Sequence, residues 1–145
     1  MIRQLTIDDL ELILPLGLVF SKEAQYPGGF VPEIFIRNWK GHLENGFGVI
    51  FGMFKDEQLV GILGGFDYSD PNNDDLVAME TFWYVAKEHR GGGIKLLDAF
   101  EAWAKERGAK RVVMAYVFTS MPEVVKSIYE KRGYGPLEMH YSKEV

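Results

Sequence analysis

The 145-residue chain contains no cysteine, which excludes disulfide bridges, thiolate metal sites and a cysteine nucleophile. Its three histidines are scattered and show no spacing with acidic residues that is typical of a metal site. No segment approaches the ~20 apolar residues of a membrane span, and the N-terminus lacks the pattern of a signal peptide. These absences predict a cytoplasmic protein that holds no metal and does not enter a membrane.

Basic residues are also fewer than acidic ones. Sixteen lysines and arginines stand against 21 acidic residues, a formal net charge of −5 that disfavours sequence-independent binding to nucleic acid. Hydrophobic residues make up 47% of the chain and charged residues 26%, as expected of a globular protein. The length suits one compact core, so we predict a single domain over residues 1–145.

The N-terminal third predicts a strand followed by two helices. Ile2–Thr6 alternates weakly, and Thr6 and Asp9 have the spacing of a capping pair at the start of a first helix. Pro15 and Gly17 are expected to kink or end that helix early. Four apolar residues at helical spacing then predict a second helix, which Gly46 should stop: Phe35, Ile36, Trp39 and Leu43.

The rest of the chain predicts a meander and then alternating helices and strands. Three segments rich in β-branched and aromatic residues predict strands: Phe47–Phe54, Leu59–Tyr68 and Leu76–Val85. After the meander the sequence predicts a helix over Ile94–Arg107 and a strand over Lys110–Phe118. It then predicts a helix that begins at a Ser120–Glu123 capping box and ends at Gly133, and a last strand over 136–143. The order β-α-α-β-β-β-α-β-α-β predicts an α/β fold, a mixed sheet with helices on its faces.

Arg90 and three consecutive glycines stand between the strand that ends at Val85 and the helix predicted from Ile94. A helix N-terminus presents N–H groups and a partial positive charge, which together attract phosphate, and glycine lets an anion approach the backbone. Neither a G-x-G-x-x-G fingerprint nor a Walker loop is present. The segment therefore predicts either a phosphate site of another kind or a solvated turn.

At these residues the chain resembles the GCN5-related N-acetyltransferase (GNAT) family, and more loosely its small bacterial and phage members. The family signature is Arg or Gln, two residues, Gly, one residue, then Gly or Ala; Arg90 and Gly93 match it, and Lys95 stands at the last position. Ile128–Pro136, "IYEKRGYGP", resembles the end of a later family helix, although Pro122 and Val125 replace the usual Asn and Ala upstream. The predicted element order also matches the family.

The resemblance implies acetyl-CoA as cofactor and acetyl transfer to a primary amine, of a small molecule or a protein, by direct attack in a ternary complex. The pyrophosphate would lie on N–H groups from Gly91 to Leu96, and the pantetheine arm would pair with the backbone of Tyr84 and Val85. The residues that the resemblance assigns to the pyrophosphate are Arg90, Gly91, Gly92, Gly93, Ile94, Lys95 and Leu96.

Two side chains carry the chemistry that the resemblance implies. Tyr129 corresponds to the family's tyrosine that protonates the leaving thiolate, which a phenol can do because it keeps its proton at neutral pH; the alternative is that it only packs one turn after Val125. Glu80 is either the general base, or a carboxylate that points away from the site and pairs with a lysine or arginine. Glu88 and His89 are expected to be exposed, with His89 as a less favoured base.

The acceptor is expected against the first two helices and the 68–76 loop. Four aspartates there either attract a cationic amine or belong to an ordinary solvated loop: Asp67, Asp70, Asp74 and Asp75. Four aromatic residues either line a pocket or fill the core: Tyr26, Phe30, Phe35 and Trp39. Two further alternatives stay open: a non-catalytic acyl-CoA-binding module on the same fold, and an unrelated phosphate-binding α/β protein. A homodimer is also left open.

Overall fold

The computed structural model describes residues 1–145, which form two compact units, residues 1–115 and 116–145. The first unit contains β1 (Ile2–Gln4), α1 (Leu10–Glu23), α2 (Pro32–Glu44), β2 (Gly48–Lys55), β3 (Gln58–Ser69), β4 (Leu76–Val85), α3 (Ile94–Glu106) and β5 (Arg111–Val113). Short 3-10 helices over Ile7–Asp9 and Lys87–Gly92 precede α1 and α3. The second unit contains α4 (Pro122–Lys131). A single domain remains a prediction.

The five strands form one sheet in the order β1-β2-β3-β4-β5. Strands β1 to β4 are antiparallel neighbours, and β5 adds to β4 in parallel. The predicted meander is confirmed, since each of its strands begins and ends within one residue of the predicted position. The predicted mixed sheet is confirmed as well.

Side-chain alternation along β3 places helices on both faces of this sheet. Ile62 belongs to a core cluster with Ile13 of α1 and Trp39 of α2. The neighbouring positions point the other way: a Cβ on Gly65 would lie 2.8 Å from the ring of Phe100 in α3. The sheet is therefore covered by α1 and α2 on one face and by α3 on the other.

Gly65 lies under α3 and against the backbone of the neighbouring strand β4, and the second contact gives a testable prediction. A Cβ at this position would lie 2.4 Å from the backbone oxygen of Met79. We expect Gly65→Ala to lower the free energy of unfolding by roughly 1–3 kcal/mol, because a rigid backbone cannot move aside. Gly41→Ala is the control: its Cβ would meet nothing within 4 Å in α2, so stability should rise by about 0.5–1 kcal/mol. Urea unfolding of both variants measures the difference, and equal stabilities would contradict the packing argument.

Helix α1 continues to Glu23, so the prediction that Pro15 and Gly17 end it early is wrong. A proline inside a helix removes one backbone hydrogen bond, but the burial of Ile13 and Gly17 against the rest of the unit offsets that loss. A Cβ on Gly17 would lie 2.5 Å from the ring of Phe30. The glycine therefore lets the segment after α1 pack directly onto the helix.

Other predicted helix boundaries are confirmed. The N–H of Thr6 donates to the carboxylate of Asp9 at 2.8 Å, which is the predicted capping pair. Gly46, Gly108 and Gly133 have φ of +79°, +82° and +86° just after α2, α3 and α4, where a left-handed residue ends a helix.

Three predictions in the last third are wrong. Ser120 does not cap α4, because Met121 is the N-cap and makes no side-chain cap bond, while Pro122 begins the helix. Strand β5 covers only Arg111–Val113 and not the predicted Lys110–Phe118. No strand forms over 136–143, where three alternating apolar side chains are exposed and no backbone pairing supports them: Leu137, Met139 and Tyr141.

Candidate active site

The candidate site lies along strand β4, whose hydrogen-bonded pairing is irregular with both neighbouring strands. Toward β3, Gly64 pairs with Phe82 and Gly65 with Glu80, so Thr81 forms a bulge. The Thr81 hydroxyl donates to the backbone oxygen of Gly64 at 3.1 Å. Toward β5, pairing covers only Val77–Met79. From residue 80 to 85, β4 therefore has a strand partner on one edge only.

Glu80 stands at the point where β4 and β5 part. Its side chain is buried, and the N–H of Ala115 donates to its carboxylate at 2.8 Å. Burial raises the pKa of Glu80 to about 7, and the bond from Ala115 lowers the pKa by less. Neither a lysine nor an arginine pairs with this carboxylate. The carboxylate takes the N–H that a longer β5 would have given to a strand, which explains why β5 is shorter than predicted.

The three glycines of the predicted phosphate site lie in a 3-10 helix and at its C-terminal end, and they differ in their surroundings. A Cβ on Gly93 would lie 2.9 Å from Val85, and one on Gly92 would lie 3.2 Å from the sulfur of Met53. A Cβ on Gly91 would meet nothing within 4 Å. Two glycines therefore allow close packing on the sheet, and Gly91 leaves open space beside the backbone. The sequence alone does not separate these two roles.

Arg90 is held against the end of β4. Its Nε donates to the backbone oxygen of Val85 at 3.1 Å, and its guanidinium forms an ion pair with Glu23 at 2.9 Å. Burial, with a smaller contribution from Glu23, raises the pKa of the neighbouring Tyr84. Glu23 at the end of α1 is a site residue that sequence reasoning missed, because 67 positions separate it from Arg90 and no local pattern links them.

Lys95 is exposed on the first turn of α3 and lines a cavity of about 380 Å³ with Lys55, His89 and Gly92. Glu88 is exposed as predicted, but His89 is partly buried because it lies against this cavity, so the prediction of its exposure is wrong. Ile94 is half-buried and Leu96 is fully buried. The entrance of α3 is thus flanked by two lysines and a histidine.

A second cavity of about 420 Å³ lies against α1, α2 and the bulged part of the sheet; we call it the aromatic cavity. The residues that line it are Ile13, Gly17, Phe20, Ser21, Tyr26, Gly29, Phe30, Phe35, Asn38, Trp39, His42, Ile62, Phe66, Thr81 and Phe82. All four aromatics that sequence left between pocket and core line this cavity, although Trp39 is also part of the core. No residue of the 69–75 loop lines it.

Three of the four aspartates predicted beside the acceptor pair with an arginine, Asp75 with Arg111 at 3.9 Å, and none of the four lines the aromatic cavity. Asp67 accepts two hydrogen bonds from Arg107, at 2.5 and 3.1 Å. Asp70 accepts the N–H of Asn72 and pairs with Arg111, and these contacts lower its pKa. Both carboxylates have structural partners, which favours an ordinary loop over an amine site.

Tyr129 lies in α4 of the second unit and is buried. Its ring centroid is 5.5 Å from that of Tyr134, and its backbone oxygen accepts the N–H of Tyr134 at 2.9 Å. The "IYEKRGYGP" motif is therefore the C-terminal end of α4 and the turn that closes it.

No group of three or more His, Cys, Asp or Glu side chains is arranged to hold a metal ion. None of the helices combines the length and the apolar character that crossing a membrane requires.

The comparisons with known proteins agree on one family. The model of the Acetyltransferase (GNAT) family matches residues 17–134. No curated protein matches the chain.

Solved structures share the fold across almost the whole chain. A predicted acetyltransferase from Clostridium acetobutylicum, crystallised with acetyl-CoA, is 18% identical with a TM-score of 0.81, over 99% of this chain and 95% of that one. A ribosomal-protein-alanine N-acetyltransferase from Brucella melitensis biovar Abortus 2308 is 20% identical, with a TM-score of 0.76, over 100% of this chain and 98% of that one. An aminoglycoside acetyltransferase from an uncultured soil metagenomic sample, in complex with sisomicin, is 16% identical, with a TM-score of 0.76, over 100% of this chain and 95% of that one. These identities support a common fold and carry no information about the acceptor.

Proposed function

Because the chain belongs to the acetyltransferase (GNAT) family, we propose that it transfers an acetyl group from acetyl-CoA to a primary amine. The amine attacks directly in a ternary complex, since the chain has no cysteine that could carry the acetyl group. The observation that carries this proposal is the buried Glu80 at the point where β4 and β5 part, with a pKa raised to about 7. Such a carboxylate is matched to accept a proton near neutral pH.

The residues present fit acetyl-CoA, which supplies the activated acetyl thioester when it binds. Beyond Met79 the edge of β4 that faces away from β3 has no strand partner, so its backbone near Tyr84 would be open to the amide groups of the pantetheine arm, while the oxygen of Val85 already accepts the Nε of Arg90. The open space at Gly91 leaves the backbone beside α3 accessible to the pyrophosphate. Arg90 would contribute its charge, because a phosphate group can compete with Glu23 for the guanidinium.

The chemistry requires two proton movements. Glu80 accepts a proton from the attacking amine, directly or through a water molecule, as the new C–N bond forms. Tyr129 donates its phenolic proton to the thiolate that leaves when the C–S bond breaks. An N–H near Tyr84 would stabilise the developing negative charge on the carbonyl oxygen.

The second candidate function is a non-catalytic acyl-CoA-binding module, which Lys95 at the family's small-residue position favours. A calorimetric titration with acetyl-CoA, followed by thiol release over a panel of amines, separates the two. An enzyme binds the cofactor and releases thiol with at least one amine, whereas a module binds it and releases none. Absence of binding at millimolar concentration would contradict both candidates.

Alanine substitutions in the glycine run test the cofactor site directly. Gly91→Ala places a methyl group in open space, so we expect unchanged thermal stability and at least tenfold weaker CoA binding. Gly93→Ala is the comparison for stability and not for affinity, because Gly93 also belongs to the predicted cofactor site: its Cβ would press on Val85, which should lower the free energy of unfolding by roughly 1–3 kcal/mol. Calorimetry and thermal melting of the two variants give both quantities. Unchanged CoA affinity in Gly91→Ala would place the pyrophosphate elsewhere.

A further inference from the structure

We propose that the acceptor is a small monoamine with an aromatic or branched apolar body, which binds in the aromatic cavity. This inference rests on the proposed acetyl transfer and specifies the substrate class that the transfer uses. The cavity volume of about 420 Å³ lies within the range of small-molecule sites.

The aromatic cavity offers a cation no counter-charge. None of its lining residues is Asp, Glu, Lys or Arg, and its polar groups are neutral or a single imidazole: Ser21, Tyr26, Asn38, His42 and Thr81. A polyamine or an aminoglycoside would bury additional ammonium groups here without partners, which is costly. Asp67 and Asp70 do not line the cavity, and Arg107 and Arg111 already pair with them.

The apolar walls fit a flat or branched hydrocarbon group. The ring of Trp39 lies 5.3 Å from that of Phe82 and 6.2 Å from that of Phe35, centroid to centroid. These T-shaped and tilted rings already contact one another, so a ligand ring would pack against the surfaces that they turn toward the cavity, and ring faces attract a single ammonium ion. One amine on an apolar body uses both properties.

The position of Thr81 orients such a ligand. Thr81 lines the cavity at the bulge of β4, and the preceding residue is Glu80, the proposed base. Glu80 itself does not line the cavity, so an amine near Thr81 would pass its proton to Glu80 through a water molecule. The apolar body then extends toward Trp39 and Phe35 of α2.

Tryptophan fluorescence tests binding without any turnover. Titration of the full chain with phenethylamine should give a saturable change in emission, and the change should be largely lost in Trp39→Phe. Sisomicin, a polycation, should give no saturable change in the same range. The proposal is overturned if sisomicin binds as tightly as phenethylamine, or if phenethylamine does not bind.

A single added carboxylate tests the role of charge. Asn38→Asp places an acid in the cavity wall, and the matched control Asn45→Asp makes the same change outside the cavity, at the end of α2. The probe is a diamine, phenethylamine with an aminomethyl group in the para position of its ring. We expect Asn38→Asp to raise the ratio of kcat/KM for this diamine to kcat/KM for phenethylamine roughly fivefold. Asn45→Asp should leave the ratio unchanged, and equal ratios in the wild type and Asn38→Asp would contradict the charge argument.

Failure of this inference is distinguishable from failure of the proposed function. If CoA binds and a lysine peptide or sisomicin is acetylated faster than the arylalkylamine, the acceptor class is wrong and acetyl transfer stands. If the arylalkylamine binds and no thiol is released with any amine, the cavity assignment stands as a binding site and the proposed transfer is wrong.

Discussion

Replacing Glu80 with glutamine is expected to lower kcat/KM by ~10²–10⁴-fold, the usual contribution of a general base. Glutamine keeps an oxygen that can accept the N–H of Ala115, so the junction between β4 and β5 should stay intact. The affinity for acetyl-CoA, measured by calorimetry, should therefore change little. A variant that retains full activity would show that Glu80 is not the base.

The pH dependence of the wild type and of Glu80→Gln sharpens this test. Since the pKa of Glu80 is about 7, kcat/KM of the wild type should rise with pH to a plateau above 7, and this limb should vanish in the variant. Asp67→Asn is the matched control, because it neutralises another buried carboxylate, one paired with Arg107. The control should lose stability but keep the pH limb.

Glu80 should also make the stability of the fold depend on pH. The pKa of this carboxyl is about 7 in the folded chain and 4.5 as a free side chain, so between these values the folded state holds a proton that the unfolded state has released. The free energy of unfolding should therefore fall by roughly 3 kcal/mol as the pH rises from 4.5 to 7. In Glu80→Gln this fall should be absent, which makes the variant more stable than the wild type at pH 8.

The parts of the fold that were predictable from sequence are those with local signals. The meander strands have continuous apolar patterns bounded by turns, and α3 has both an apolar stripe and a terminal Gly108. The last strand was wrong because alternation alone cannot supply a partner edge, and the extent of β5 was wrong because Glu80 takes the N–H of Ala115. Both errors depend on contacts distant in sequence.

The candidate site shows the same division between local and distant information. Arg90 and the glycines were found because they are adjacent, and Glu80 because it is the one acid in an apolar strand. The Arg90–Glu23 ion pair and the aromatic cavity join segments that are far apart in the chain. Helix-spaced aromatics predict burial, but only the folded arrangement separates a core side chain from one that lines a cavity.

Replacing Tyr129 with phenylalanine is expected to slow turnover by ~10²-fold or more while acetyl-CoA binding stays unchanged, because only the phenolic hydroxyl, the proposed proton donor, is removed. The ring stays in place, so the packing against Tyr134, at 5.5 Å between centroids, is preserved. Tyr134→Phe is the matched control, since it removes a hydroxyl from the contacting ring, and it should keep nearly full activity. Steady-state thiol release gives kcat, and calorimetry gives the affinity. If both variants turn over like the wild type, the leaving thiolate takes its proton from another donor, and the assignment of "IYEKRGYGP" to catalysis is wrong.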